Sequence, residues 1–393
     1  MPKRKTITEK GLGESLSRER ANFIIEQSKI KQVTPYVLEI IFYVFVLILL
    51  ITGTYSRNRI WNSEIGLWTD CVKKSSNKDR PHYGLGNAYT YQGRYQEAIA
   101  QLTEALRINP NYAEAHYNLG NVYGRQGRYQ EAIAQLTEAL RIRPNYAQAH
   151  NNLGDAYTHQ GKYQEAIAQL TELLRINPHY AEAHNNLGFV YTDQGRYQEA
   201  IAQLTEALRI NPHYAEAHNN LGSVYAYQGK YQEAVAQFIE ALKINPNYAE
   251  AHNNLGSAYT DQGKYQEAIA QFTEALRINP DYPDVHNNLG SVYTYQGKYQ
   301  EAIAQFTEAL RINPNYAEAH NNLGIAYAHQ RRYQEAIAQF SEALRINPDY
   351  AEAHYNLGIA YRTMGDSSSA FKEYQILKKM NPGLANRFYG KTK

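Results

Sequence analysis

A 34-residue unit is repeated nine times, head to tail, from Asp79 to Leu384. Residues 249–282 show it: AEAHNNLGSAYTDQGKYQEAIAQFTEALRINPDY. A period of this length specifies a solenoid, because one unit cannot bury its apolar face alone and needs its neighbours to complete the core. The unit reads as helix, turn, helix. Ala251, Leu255, Ala258 and Tyr259 recur at helical spacing, Gly263 suits the left-handed end of a helix, and a second periodic run from Lys264 to Ile278 follows. Asn279-Pro280 stops that run, since proline disfavours a helical residue before it and cannot donate to the preceding turn.

These residues resemble the tetratricopeptide repeat (TPR). With Ala249 as position 1, Leu255, Gly256, Tyr259, Ala268, Phe272, Ala275 and Pro280 occupy the places where that family has Leu, Gly, Tyr, Ala, Phe or Leu, Ala and Pro. The other units keep nearly all of them, with Leu173, Tyr374 and Leu377 as departures, and the resemblance covers 306 of 393 residues. It implies an all-α fold, a right-handed TPR superhelix, in which the first helix of each unit faces the concave side and binds other chains. The units are 79–112, 113–146, 147–180, 181–214, 215–248, 249–282, 283–316, 317–350 and 351–384.

Position 6 is Asn in eight units: Asn118, Asn152, Asn186, Asn220, Asn254, Asn288, Asn322 and Asn356, with Gly84 in the first. In the similar superhelix of O-linked N-acetylglucosamine transferase, asparagines at this place hold peptide backbone. A carboxamide both donates and accepts, so such a ladder suits an extended peptide of any sequence. The other reading is that each Asn bonds a neighbouring repeat or is inherited by duplication. Positions 9, 12 and 13 vary most between units (Asn87, Asp155, Phe189, Ser223 and Ile325 at position 9), which fits either ligand selection or tolerance of an exposed surface.

Position 4 is His in every unit, from His82 to His354. One His per repeat cannot converge on a metal ion, whose ligands lie within about 2 Å of it, so packing and inter-helix hydrogen bonding are expected. GxSxG, Walker and HExxH patterns do not occur, and no enzymatic activity, cofactor, metal site or small-molecule substrate is expected. A net charge of +2 gives no nucleic-acid signal. Cys71, the single cysteine, excludes an intramolecular disulfide and lies on a stripe with Trp68, where it reads as buried packing.

Residues 36–55, YVLEIIFYVFVLILLITGTY, are long and apolar enough to span a bilayer. From Val37 to Ile51, 13 of 15 residues are Leu, Ile, Val or Phe. Together they favour insertion by about 4 to 8 kcal/mol, against at most about 3 kcal/mol for Glu39. Tyr36 and Tyr55 fall at the two interfaces. The preceding stretch is long and no Ala-x-Ala follows, so an uncleaved signal anchor is expected rather than a cleaved signal peptide. Residues 1–35 read as a basic tail with Lys3, Arg4, Lys5, Lys10, Arg18, Arg20, Lys29 and Lys31 against four Glu. By the positive-inside rule this places the N-terminus in the cytoplasm and the repeats outside, at a cell (inner) membrane.

Residues 56–78 read as a half-repeat that caps and links, with Trp61, Trp68 and Cys71 at positions 17, 24 and 27 of a missing unit, and 385–393 as a C-terminal tail. Arg57-Asn58, Trp61, Leu67-Trp68, Lys74-Ser75, Arg80 and Leu85-Gly86 resemble the junction of membrane glycosyltransferases with tetratricopeptide tails. That resemblance favours external repeats and brings no activity, because the catalytic part of those enzymes is a multi-span domain. The sequence thus points to a membrane-anchored scaffold for proteins or extended peptides, with an accessory or truncated component of a membrane glycosyltransferase system as the second reading.

Overall fold

One glycine sets the turn inside eight of the nine repeats. Gly263 has φ +72°, which an L side chain adopts only under strain. Around it the Gly263 N–H donates to the Thr260 carbonyl (2.9 Å) and the Lys264 N–H to the Tyr259 carbonyl (2.8 Å). These two bonds are the Schellman closure of a helix C-terminus, and they turn the chain back into the second helix. That helix ends at Asn279, whose backbone is extended (φ −131°, ψ 92°).

A computed structural model describes residues 9–390; Lys3, Arg4, Lys5 and residues 391–393 lie outside it, and of residues 9–16, 30–33, 35, 56–60, 389 and 390 only the backbone is described. Among the described residues every regular element is an α-helix. The chain forms two compact units, Met1–Ile142 and Arg143–Lys393. The first holds α1 (Glu9–Ile60), α2 (Glu64–Lys74), α3 (Asp79–Tyr91), α4 (Tyr95–Ile108), α5 (Ala113–Arg125) and α6 (Tyr129–Ile142). The second holds the pairs α7 (Ala147–His159) and α8 (Tyr163–Ile176), α9 (Ala181–Asp193) and α10 (Tyr197–Ile210), α11 (Ala215–Tyr227) and α12 (Tyr231–Ile244), α13 (Ala249–Asp261) and α14 (Tyr265–Ile278). It continues with α15 (Pro283–Tyr295) and α16 (Tyr299–Ile312), α17 (Ala317–His329) and α18 (Tyr333–Ile346), α19 (Ala351–Thr363) and α20 (Ser367–Met380), and ends in α21 (Pro382–Gly390).

Within a repeat the two helices pack closely because position 8 is glycine. A Cβ on Gly256 would stand 2.7 Å from Phe272 Cε1, so the ring fills the space a side chain would need. Ala268, Phe272 and Ala275 then pack with Val285, Leu289 and Val292 of the next repeat as one buried cluster. In the second unit the first helices of consecutive repeats touch along the series (α7 with α9, through to α17 with α19), whereas the second helices of consecutive repeats do not touch. The first helices therefore line the inner, concave side of that unit.

Both ends differ from the sequence expectation. Residues 9–35 are not a separate tail but one continuous helix with the apolar stretch, 52 residues in all. At 1.5 Å per residue this helix is about 78 Å long, more than twice a bilayer core. The side chains of its apolar part are exposed, Phe42 63% and Leu50 62%. The hydroxyls of Thr52 and Thr54 donate back to the Ile48 and Leu50 carbonyls (2.7 Å each), so neither needs water. At the other end, residues 382–390 form α21, and its Ala385 and Phe388 are buried against Ala370 and Leu377. Tyr374, at position 24 of the last repeat, does not fill the slot beside Gly358; Phe388 does, 2.5 Å from where a Cβ would lie. In α2, Ser63 Oγ accepts from the Gly66 N–H (3.0 Å) as an N-cap. Cys71 is half-buried rather than buried and carries a free thiol.

Candidate functional site

Positions 2, 6, 9 and 13 of the first helix are spaced by four, three and four residues, so they form one stripe. The asparagines at position 6 sit in its middle, half-buried. Seven of them donate to the preceding repeat. In the first unit Asn118 Nδ2 donates to Asn87 Oδ1 (2.6 Å) and Tyr83 Oη (3.1 Å). In the second, Asn186 donates to Asn151 (3.0 Å), Asn220 to Asn185 (2.9 Å) and Asn254 to Asn219 (3.0 Å). Asn288 donates to Asn253 (3.0 Å), Asn322 to Asn287 (3.0 Å) and Asn356 to Asn321 (2.9 Å). Asn152 opens the second unit's series at the same position of α7. The partner is thus a neighbouring side chain, not the neighbouring backbone.

The acceptors at position 5 are a second column, which reading the sequence missed. Asn185 and Asn219 are 1% exposed. Asn151, Asn185, Asn219 and Asn287 in turn donate to Glu182, Glu216, Glu250 and Glu318 of the following repeat (2.8, 3.3, 3.2 and 3.2 Å). A buried carboxamide must be satisfied, and this relay from Asn to Asn to Glu satisfies it at Asn151, Asn185, Asn219 and Asn287. The Asn-Asn doublet is the visible signal: it occupies positions 5 and 6 in repeats three to eight, while Tyr83, Tyr117 and Tyr355 replace the first Asn near the ends. Gly84 also has a local cause. A Cβ there would stand 2.4 Å from the Trp68 ring of α2, so the half-repeat packs where the first Asn would be.

The relay uses one N–H of each position-6 carboxamide and fixes its orientation, leaving capacity for one more donor and for acceptors. The variable positions gather beside it. Ser291, Thr294 and Tyr295, at positions 9, 12 and 13 of repeat seven, line a cleft of about 110 Å³ with Asn322 and Ile325 of repeat eight. Ile325, Ala328 and His329 line one of about 390 Å³ with Asn356, Ile359 and Arg362 of repeat nine. Each cleft therefore has one invariant wall, the ladder Asn, and one wall that changes from repeat to repeat.

The electrostatics of this face are acidic. Glu216 is exposed, yet burial in the concavity raises its pKa, Glu182 and Glu250 raise it further, and the Asn185 hydrogen bond opposes the shift. Burial also raises Asp193 and Asp261 above the usual carboxylate range. Tyr112 and Tyr350, the residues before α5 and α19, are pushed up to about 12, chiefly by burial.

The histidines hold helices together. His252 Nδ1 lies 2.8 Å from Gln271 Oε1 of the second helix, and Nε2 lies 3.1 Å from the Pro246 carbonyl before the repeat. A carbonyl can only accept, so Nε2–H donates to it. The other repeats show the same bridge, but in the last, Glu373 replaces glutamine at 2.5 Å from His354. Among the described residues no group of three or more His, Cys, Asp and Glu is placed to hold a metal ion.

A family model described as the cilia and flagella-associated protein 70 C-terminal domain matches residues 75–282. Tetratricopeptide repeat models match residues 287–351 and 327–385. A comparison with curated proteins finds no match. Among solved structures, the chain is similar to the APC/C hetero-tetramer Cut9-Hcn1 (TM-score 0.57, 15% identity, 82% of this chain and 79% of that one), a likeness of fold alone. PilF of Pseudomonas aeruginosa (TM-score 0.48, 25% identity, 53% and 96% of the two chains) and YrrB, a TPR protein with an unusual peptide-binding site (TM-score 0.38, 25% identity, 47% and 96%), also match. With one model spanning just over half of the chain and repeat models covering the rest of the array, the protein belongs to the tetratricopeptide-repeat family represented by that C-terminal domain, a family of protein-interaction scaffolds.

Proposed function

We propose that this protein is a single-pass membrane-anchored scaffold that holds extended protein segments along the first-helix face of its repeats. The arrangement that carries this reading is the pairing, in each cleft, of an oriented Asn with residues from positions 9, 12 and 13. Asn322 and Asn356 offer backbone-type hydrogen bonds irrespective of sequence, and the changing wall supplies preference. The anchor is supported by Tyr36–Tyr55, the one described helix segment long and apolar enough to cross a membrane. Its apolar side chains have no protein cover, and water is an unfavourable neighbour for a surface of that extent.

The test blocks the groove contacts without touching the relay's buried members. Replacing Thr294, Ile325 and Ile359 together with lysine places three bulky cations in the clefts at half-buried positions of the first-helix face. Cross-linking of the membrane-bound protein to its partners, read by mass spectrometry, is expected to lose the species captured by the wild-type chain. Unchanged capture with unchanged helicity would sink the groove reading and move binding to the outer helices.

A further inference from the structure

The stripe of positions 2, 6, 9 and 13 has a charge that the chain as a whole lacks. From Gln148 to Thr363 it carries nine carboxylates and no lysine or arginine, while the full chain carries +2. Six of them occupy position 2, one per repeat: Glu182, Glu216, Glu250, Asp284, Glu318 and Glu352. Asp155, Asp193 and Asp261 fall at positions 9 and 13. On the outer helices the acids behave differently: Glu240, Glu274 and Glu308 each pair with a Lys or Arg three residues on, at 2.7 to 2.8 Å. Of the concave acids only Asp155 has a basic neighbour on its own stripe, His159 at 3.7 Å, and none has a lysine or arginine there.

A second observation points the same way. Large aromatic rings stand exposed on this stripe: Phe189 45%, Tyr227 67% and Tyr295 64%. Tyr227 and Tyr295 each stack one face on a ring of the preceding repeat's second helix, Tyr197 at 6.1 Å and Tyr265 at 5.9 Å. The remaining face of such a ring attracts a cation. Elsewhere the fold already uses that attraction internally, with Arg196 at 4.4 Å over Tyr191 and Arg332 at 4.3 Å over Tyr327.

We infer that the occupant of the concave face in residues 143–393 is a lysine- or arginine-rich extended polypeptide segment, its backbone held by the ladder asparagines and its cations placed on the position-2 carboxylates and the exposed rings. The inference rests on the groove reading and adds the partner's chemistry. Carboxylates spaced one per repeat suit a long cationic chain better than a single ion, which needs converging ligands. Burial raises Glu216, Asp193 and Asp261, and a cation placed beside them opposes that shift by favouring the charged carboxylate.

Full-length protein in an uncharged detergent is titrated into fluorescent peptides that alternate serine with lysine, with glutamate or with glutamine. The lysine peptide is expected to bind tightest, with an affinity that falls as salt is raised. The triple variant Glu216→Gln, Glu250→Gln, Asp284→Asn keeps acceptors for the asparagine relay and is expected to weaken lysine-peptide binding about tenfold or more. The matched outer variant Glu240→Gln, Glu274→Gln, Glu308→Gln removes the same charge and is expected to change it less than about twofold. Equal effects of the two variants, or a flat salt dependence of the wild type, overturn the proposal. Equal binding of all three peptides removes the charge preference and leaves the groove reading; binding of none removes both. Spermidine or calcium ion competing as well as the lysine peptide would also overturn it, since either would make the face a cation site rather than a polypeptide site.

Discussion

Arg331 stands where the eight other repeats have glycine, and it is the one non-glycine residue with positive φ (64°) among the described residues. Its N–H still donates to the Ala328 carbonyl (2.9 Å), and Arg332 closes on Tyr327 (3.0 Å), so the turn is kept at the cost of strain. Left-handed backbone costs a non-glycine residue roughly 1–2 kcal/mol. Arg331→Gly is therefore expected to stabilise the array by about 1 kcal/mol, less than the full strain because glycine also gains freedom in the unfolded chain. A urea melt checks it, and a lower midpoint would mean that the arginine side chain makes a contact worth more than the strain. His354 offers a second residue-scale prediction. The Glu373 hydrogen bond raises its pKa, so the pair stabilises the folded state fully below the unfolded histidine pKa, and the gain is lost as pH rises through the raised folded value. Glu373→Gln restores the glutamine of the other repeats. The melting temperature of the wild type should exceed that of the variant at pH 5.5 to 6, by about a unit of pH below the usual histidine value, and the difference should shrink as the pH is raised. A difference that grows with pH would show that the pair is not held by a protonated imidazole.

Among the elements, the caps decide where stability ends. Phe388 of α21 is fully buried and closes the last repeat in place of Tyr374. Phe388→Ala is expected to cost about 3–5 kcal/mol of local stability, and because repeats couple mainly to their neighbours, hydrogen exchange should speed up in α19 and α20 while α9 to α13 keep their protection. Uniform loss across the array would mean that it unfolds as one unit. The helices were legible because glycine, proline and apolar spacing are local signals: Gly263, Pro280 and the Tyr259 stripe each mark their own place. The caps were less legible. Residues 382–390 are too short to show a period and depend on Phe388 reaching a slot beside Gly358. The position-5 asparagines escaped for a related reason. Nothing local marks Asn185 as buried, and only tertiary structure brings Asn220 and Glu216 of the following repeat to it. The ladder itself was visible as a column, but which of its two readings applies depends on that same assembly.

At the scale of the molecule, the proposed groove binding would draw on the same asparagines that tie one repeat to the next, and that coupling can be measured. Truncating Asn220, Asn254 and Asn288 to Ala removes three donors from Asn185, Asn219 and Asn253, of which Asn185 and Asn219 are almost wholly buried. An acceptor left buried and unsatisfied costs about 1–3 kcal/mol. The three sites lie in consecutive repeats, share partners and are not additive, so a total of about 3–6 kcal/mol is expected for the middle of the array. The melting temperature should fall, and circular dichroism should show the loss of part of the helix before the rest. If the same asparagines also hold a ligand's backbone, affinity measured well below the melting temperature should fall as well, by about 0.5–1.5 kcal/mol for each bond lost. The two effects separate on a second variant, Asn185→Ala, Asn219→Ala, Asn253→Ala, which breaks the same relay from its buried side and leaves the position-6 carboxamides in the groove. Equal destabilisation by both triples with weaker binding only in the first would assign the ladder both roles. Equal loss of affinity in both would make position 6 a structural column, with ligand contact resting on positions 9, 12 and 13.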